Sequence, residues 1–213
     1  MAMLDVLLDG AAHPIGQLAH HAGVTAATAS SHLRRLADAN LVAIATVGRE
    51  RRVRLASPDV AELLERLAVL APSPPRAWPG GPRAAQLRFA RTCYDHLAGV
   101  LGVTLATSLV ERGWLYRTTD NFEPAPELFT WLADHGHAVA IAGRRPLTRA
   151  CLDWSERVPH LAGRVGAALA EICLAQRWVV RVRAARTLRV TDRGHAALDR
   201  ELGVRLRRMS VRG

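Results

Sequence analysis

Through the first 70 residues the apolar positions recur at helical spacing in short blocks, each closed by a glycine or a proline. Leu4, Leu7 and Leu8 share one face of a helix that stops at Gly10, and Ile15, Leu18 and Ala19 mark a second helix over 15–22, opened by His13-Pro14. Gly23-Val24-Thr25 reads as a tight turn with a threonine N-cap, and a third helix follows with Leu33 and Leu36 on its inner side. Residues 41–46 and 53–56 are β-rich runs on either side of Val47-Gly48-Arg49-Glu50-Arg51-Arg52, which predicts a hairpin. A last helix is predicted over 58–70, with Val60, Leu63, Leu64 and Leu67 on one stripe.

Helix, helix-turn-helix, hairpin, helix is the order of a winged helix, and the polar residues fit that reading. The stretch 23–42, GVTAATASSHLRRLADANLV, has the composition of a helix that reads DNA. Thr25, Thr28, Ser30, Ser31 and His32 are short or ring-bearing polar side chains suited to base edges, and Arg34 and Arg35 stand where phosphates would lie. The hairpin tip carries Gly48, which lets backbone approach a duplex closely, together with Arg49, Arg51, Arg52 and Arg54 for phosphate. The expected partner is therefore double-stranded DNA.

Residues 72–83 are rich in proline and glycine and mark a linker, dividing a domain at 1–71 from one at 84–213. The second domain contains an internal repeat. HLAGVLGVTLATSLVERGWL, from His96, aligns without gaps on HLAGRVGAALAEICLAQRWV, from His160, with eight of twenty positions identical, Trp114 and Trp178 among them. Each copy predicts a helix leading into a hairpin and a further helix, over 96–136 and 160–203. The expected fold is mainly α with small β-hairpins, an α+β chain in which a winged helix precedes two repeated, winged-helix-like units.

Composition adds a bias in charge. The chain is 49% hydrophobic and 23% charged over 213 residues, enough for a real core, and its net charge of +10 comes entirely from arginine on the basic side. Residues 1–71 balance at seven arginines and seven acids, whereas 72–213 hold 22 arginines against 12 acids. The segment 177–212 alone carries eleven arginines against Asp192, Asp199 and Glu201. Beside a DNA-reading helix this fits a second phosphate-contacting surface, with a solvated face or a coding bias toward arginine as the plainer accounts. The apolar runs are short and no basic-then-apolar leader opens the chain, so a soluble cytoplasmic protein is expected, with no membrane partner.

Residues 1–70 resemble the ArsR-type winged-helix regulators, through MLDVLLDG, PIGQLAHHAGVTAATASSHLRRLADANLV and GRERRVRLA. The resemblance implies a homodimer seated on a palindromic operator, from which an effector releases it. The chain departs from the metal-sensing members. Their cysteine pair lies on the first helix of the helix-turn-helix, where this chain has Pro14-Ile15-Gly16-Gln17-Leu18, and 58–70 lacks the His and Asp ligand set of the other familiar site. Sensing is expected in the extra C-terminal domain.

Three cysteines are too few for a disulfide framework. Cys93, Asp95 and His96 lie together, the Cys and His on one face if 84–97 is helical, and Cys151 and Asp153 precede the matched His160. Two thiols, two imidazoles and two carboxylates near a pseudo-dyad would hold a transition metal or a haem, or form a redox or persulfide switch. The plainer alternative is histidines that cap the LAG helices beside buried cysteines, and Cys173, at an apolar helical position, reads as core. Together these features predict a DNA-binding transcriptional regulator and not an enzyme, a repressor controlled by a metal, haem or thiol-reactive effector. The alternatives are a metal- or thiol-dependent enzyme docked by its winged helix and a sequence-nonspecific architectural protein. Against the enzyme, the second half contains no nucleophile elbow, phosphate loop or HExxH-type motif.

Overall fold

A computed structural model describes residues 2–70, 82–182 and 186–207, and its helices and small antiparallel sheets make an α+β chain. Two compact units divide it, one of Met1–Ala84 with Arg183–Arg186 and one of Ala85–Val182 with Thr187–Gly213. The proline-rich stretch 72–83 lies outside the described residues up to Pro82, where a helix begins.

The first unit runs α1 (Ala2–Leu7), β1 (His13–Pro14), α2 (Ile15–Ala22), α3 (Ala26–Asp38), β2 (Val42–Val47), β3 (Glu50–Leu55) and α4 (Pro58–Leu70). Gly23 closes α2 in the left-handed conformation at φ 66°, its N–H returning to the Ala19 and His20 carbonyls. Two residues later the Thr25 hydroxyl accepts from the Thr28 N–H and starts α3. These two local devices set the turn of the helix-turn-helix. Leu7, Leu18, Ala29, Leu33 and Val53 are fully buried beneath it. β2 and β3 pair in register from Val42 with Leu55 to Val47 with Glu50, leaving Gly48-Arg49 as a two-residue turn. The sequence does not predict β1, whose two residues pair with Val53 and Arg52 and are too short to show a period.

The stripe expected on α4 is split. Leu64 is buried with Ala61 and Ala68, but Leu63 and Leu67 are about half exposed, at 50% and 47%, and Leu70 is exposed. The inward row is Ala61, Leu64, Glu65 and Ala68, and Leu63 and Leu67 fall beside it on the more open face.

The division falls within α5 (Pro82–Phe89), after which the second unit repeats one motif of hairpin, helix, hairpin, helix. The first copy is β4 (Arg91–Cys93), β5 (His96–Ala98), α6 (Gly99–Glu111), β6 (Leu115–Arg117), β7 (Phe122–Pro124) and α7 (Pro126–Asp134). The second is β8 (Arg149–Leu152), β9 (Pro159–Ala162), α8 (Gly163–Ala175), β10 (Val179–Arg181), β11 (Leu188–Val190) and α9 (Asp192–Leu202). The helix-hairpin-helix order read from the sequence is present, and each copy opens with a further hairpin that the sequence does not predict.

The copies pack crosswise, α6 on β9 and α8 on β5. Two glycines in each HLAGxxG motif make this possible. Gly99 and Gly163, at φ +75° and +84°, turn strand into helix, a conformation strained for other residues. A Cβ on Gly102 would lie 2.3 Å from the Leu97 carbonyl oxygen and 3.5 Å from the His160 Cβ; on Gly166 it would lie 2.4 Å from the Leu161 oxygen and 3.3 Å from the His96 Cβ. Each helix therefore passes hard against the other copy's histidine. Leu101, Leu105 and Leu109 of α6 and Val165, Leu169 and Cys173 of α8 occupy matching buried positions. Cys173 is core, as expected, and burial, with a smaller contribution from Glu201, pushes its thiol up to about 12.

Candidate functional site

Two sets of residues carry chemistry, one in each unit. On α3 the buried side is Ala29 and Leu33, and the opposite side presents Thr28, Ser31, His32, Arg34 and Arg35 in the open. Thr28, Ser31, His32 and Arg35 fall at i, i+3, i+4 and i+7 and so share one face. Thr25 is exposed, but its hydroxyl is engaged as the cap and in a 2.9 Å hydrogen bond with the Thr28 hydroxyl. Ser30 is half-buried at the flank. On the hairpin, Arg49 and Arg51 are exposed near the tip, whereas Arg52 is paired with Glu50 at 3.0 Å and Arg54 donates to the Leu55 carbonyl at 3.1 Å.

In the second unit, Cys93 and His96 do come together, but not on a helix as expected. α5 ends at Phe89, and the two are opposed across β4 and β5, joined by a two-residue turn in which Tyr94 is left-handed at φ 58°. Cys151 and His160 are the corresponding cross-strand pair of β8 and β9, separated by a longer loop. The crosswise packing brings both pairs to one point. His96 Nε2 lies 3.1 Å from His160 Nε2, and Cys93 Sγ lies 4.0 Å from Cys151 Sγ. No two of the four donor atoms are further apart than 4.8 Å. Cys93, His96 and His160 are buried and Cys151 is half-buried.

The two aspartates stand behind the histidines. Asp95 lies 3.4 Å from His96 Nδ1, and Asp153 lies 3.1 Å from His160 Nδ1, so each ring has a carboxylate on its outer nitrogen and its Nε2 turned to the centre. Arg145 clasps Asp95 with both terminal nitrogens, one at 2.7 Å. Asp153, fully buried, accepts from Arg91 at 2.8 Å, the Gly99 N–H at 2.7 Å and the Ser155 hydroxyl at 2.8 Å. Burial disfavours the charge on both carboxylates, yet the adjacent histidines and arginines outweigh it and hold both below the ordinary range. Burial likewise opposes the charged form of His160, and the Asp153 carboxylate and Cys93 beside it outweigh that and raise its pKa.

Arg91 and Arg145 are parts of this site that the sequence reading does not single out. A signal for the first exists. Arg91-Thr92-Cys93-Tyr94-Asp95 and Arg149-Ala150-Cys151-Leu152-Asp153 share R-x-C-x-D, so the repeat begins before the histidines. Six residues, 154–159, stand between Asp153 and His160 where none separates Asp95 from His96, and a gap-free comparison misses the match.

Among the described residues no helix is long and apolar enough to cross a membrane. No protein-family model matches the chain. It is similar to a protein of Bacillus subtilis (strain 168), the uncharacterized HTH-type transcriptional regulator YdfF, being 41% identical over 208 residues that span 96% of this chain and 92% of that protein.

Proposed function

The chain belongs to the family of that HTH-type transcriptional regulator, and from this premise we propose that it is a cytoplasmic repressor that reads an operator through α3 and is controlled by an effector sensed at the Cys93, His96, Cys151 and His160 cluster. The observation that carries the DNA-binding half is the open face of Thr28, Ser31, His32 and Arg35 on a helix whose opposite side is locked into a core. Short polar side chains on an exposed helix suit the major groove, and Arg34, Arg49 and Arg51 flank that face with positive charge for phosphates. Thr25 acts by fixing the start of α3, and Ser30, Arg52 and Arg54 contribute at the margins.

A homodimer on a palindromic site goes with this reading. Leu63, Leu67 and Leu70 form an exposed i, i+4, i+7 row on α4, apolar surface that a second copy would cover. The spacing of the two α3 helices then decides which half-site separation fits, so an effector that alters the dimer alters affinity. The burial of the Cys–His cluster supports a sensor over an enzyme, because a catalytic centre keeps a position open for substrate.

Selection of duplexes by the full chain from a random pool tests the reading. Enrichment of a palindrome is expected, with Ser31→Ala or His32→Ala relaxing preference at defined base pairs. The Arg49→Ala and Arg51→Ala changes should instead lower the salt slope by about one each, with the preferred sequence unaltered. Binding without any enriched sequence would overturn the operator and favour the architectural alternative.

A further inference from the structure

We propose that Cys93, His96, Cys151 and His160 form a closed, four-coordinate site for a Zn²⁺ ion that ties together the two repeated halves of the C-terminal unit. The geometry of the donors carries this. Zn–S bonds of about 2.3 Å and Zn–N bonds of about 2.05 Å place the sulfurs of a tetrahedron about 3.8 Å apart and its nitrogens about 3.3 Å apart. The corresponding separations here are 4.0 Å and 3.1 Å. The sulfur–sulfur and nitrogen–nitrogen edges thus already stand within tenths of an ångström of a zinc tetrahedron, and the widest separation, 4.8 Å, has to close by up to about an ångström toward a sulfur–nitrogen edge of about 3.6 Å.

The surroundings match the same ion. Asp95 and Asp153 lie beside the Nδ1 atoms, 3.4 and 3.1 Å away, which favours a proton on Nδ1 and leaves Nε2 as the ligand atom on each ring, the outer-shell arrangement that orients histidines on zinc. Two thiolates and two neutral imidazoles carry two negative charges, which cancel a divalent cation, and binding would release the two thiol protons to solvent. Hard cations want oxygen ligands, which this set lacks, and a Rieske-type iron–sulfur cluster, which also takes two thiolates and two imidazoles, holds them on two separate irons, whereas these four atoms lie within 4.8 Å of one another, the span of a single ion. A haem held between the histidines would need their nitrogens on opposite faces of a wide ring, whereas these nitrogens are 3.1 Å apart and buried. With all four positions supplied by protein, the ion orders the fold and does not bind substrate.

Because two ligands come from each half, occupancy couples the hairpins of β4–β5 and β8–β9 directly. The proposal deepens the sensor reading and rests on it only for the regulatory meaning of the ion. The full chain, purified without added metal, should contain one zinc per molecule by elemental analysis, and chelation should lower its Tm. Refilling with Co²⁺ should give the intense visible bands of a tetrahedral ion together with thiolate charge transfer. Cys93→Ser and Cys151→Ser should each lose these signals, while Cys173→Ser, a change in the core and outside the cluster, should keep them. The wild-type measurements do not depend on any variant folding. A metal-free chain with no cobalt bands, an octahedral cobalt spectrum, or a Cys93–Cys151 disulfide in place of metal would overturn the site. A bound ion whose removal leaves affinity for the selected duplex unchanged upholds the site and overturns only the sensor reading. A metal-free chain whose affinity changes on thiol oxidation does the reverse. If both readings hold, removal should change affinity by about 5- to 150-fold, the usual range of coupling between sites.

Discussion

The two halves of the C-terminal unit place the same Cys–His pair by different means. In the first half, Cys93 and His96 face each other across a tight turn, and the supporting carboxylate, Asp95, remains partly exposed at 31%, with Arg145, itself 41% exposed, as its counter-ion. In the second, a loop over 154–159 closes on itself, the Asp153 N–H donating to the Val158 carbonyl and the Arg157 N–H to that of Asp153. Asp153 is thereby fully buried, and its guanidinium partner, Arg91, comes from the first half and stacks on Trp154 of the loop at 4.8 Å. The Gly99 N–H at the start of α6 also donates to Asp153. One half thus supplies a support open to water, and the other a buried bolt that holds both halves together. The repeated motif places the donors symmetrically, and the six residues 154–159 make their supports unequal.

The sharpest way to break this comparison is to remove one carboxylate charge at a time. Asp153→Asn leaves Arg91 buried without the opposing charge and should destabilise the unit by about 3–5 kcal/mol in urea unfolding at fixed metal content. Asp95→Asn should cost less than about 1 kcal/mol, because the Arg145 pair is half exposed and screened. Equal losses at the two positions would remove the distinction between bolt and open support.

The glycines test the part that is symmetric. Gly102→Ala and Gly166→Ala each drive a methyl into a backbone carbonyl, at 2.3 and 2.4 Å, and should each cost about 1–3 kcal/mol or more by overpacking, with matching values in the same unfolding assay. A large cost at one and none at the other would mean that the helices do not cross the histidines equivalently. The smallest effect separates the closing helices of the two copies. α9 is capped by Thr191, whose hydroxyl accepts from the Gly194 N–H at 2.9 Å, whereas α7 starts at Ala125 with no side-chain cap and relies on Pro126. Thr191→Ala should cost about 1 kcal/mol. A loss of amide-exchange protection confined to the first turn of α9 would locate that cost.

What the sequence determined by itself is what local chemistry decides. α2 and α4 lie at 15–22 and 58–70 as read, because 3.6-residue spacing, a left-handed Gly23, a capping Thr25 and an opening Pro58 act within a few residues of chain. The repeated motif was legible at His96 and His160 for a related reason: both helices need a left-handed glycine and a bare one at the same two places. The hairpins of β4–β5 and β8–β9 were not legible, since strands of three or four residues show no usable period and depend on their partners for definition. Nor could spacing say which leucines of α4 face outward, since that follows from what packs beneath the helix. The four donor atoms were named from the sequence, but their meeting was decided only by the tertiary structure. Cys93 and Cys151 stand 58 positions apart and His96 and His160 stand 64 apart, and no local rule joins them. Crosswise packing of two copies, permitted by Gly102 and Gly166, brings those atoms to within 4.8 Å of one another, close enough to share one ion.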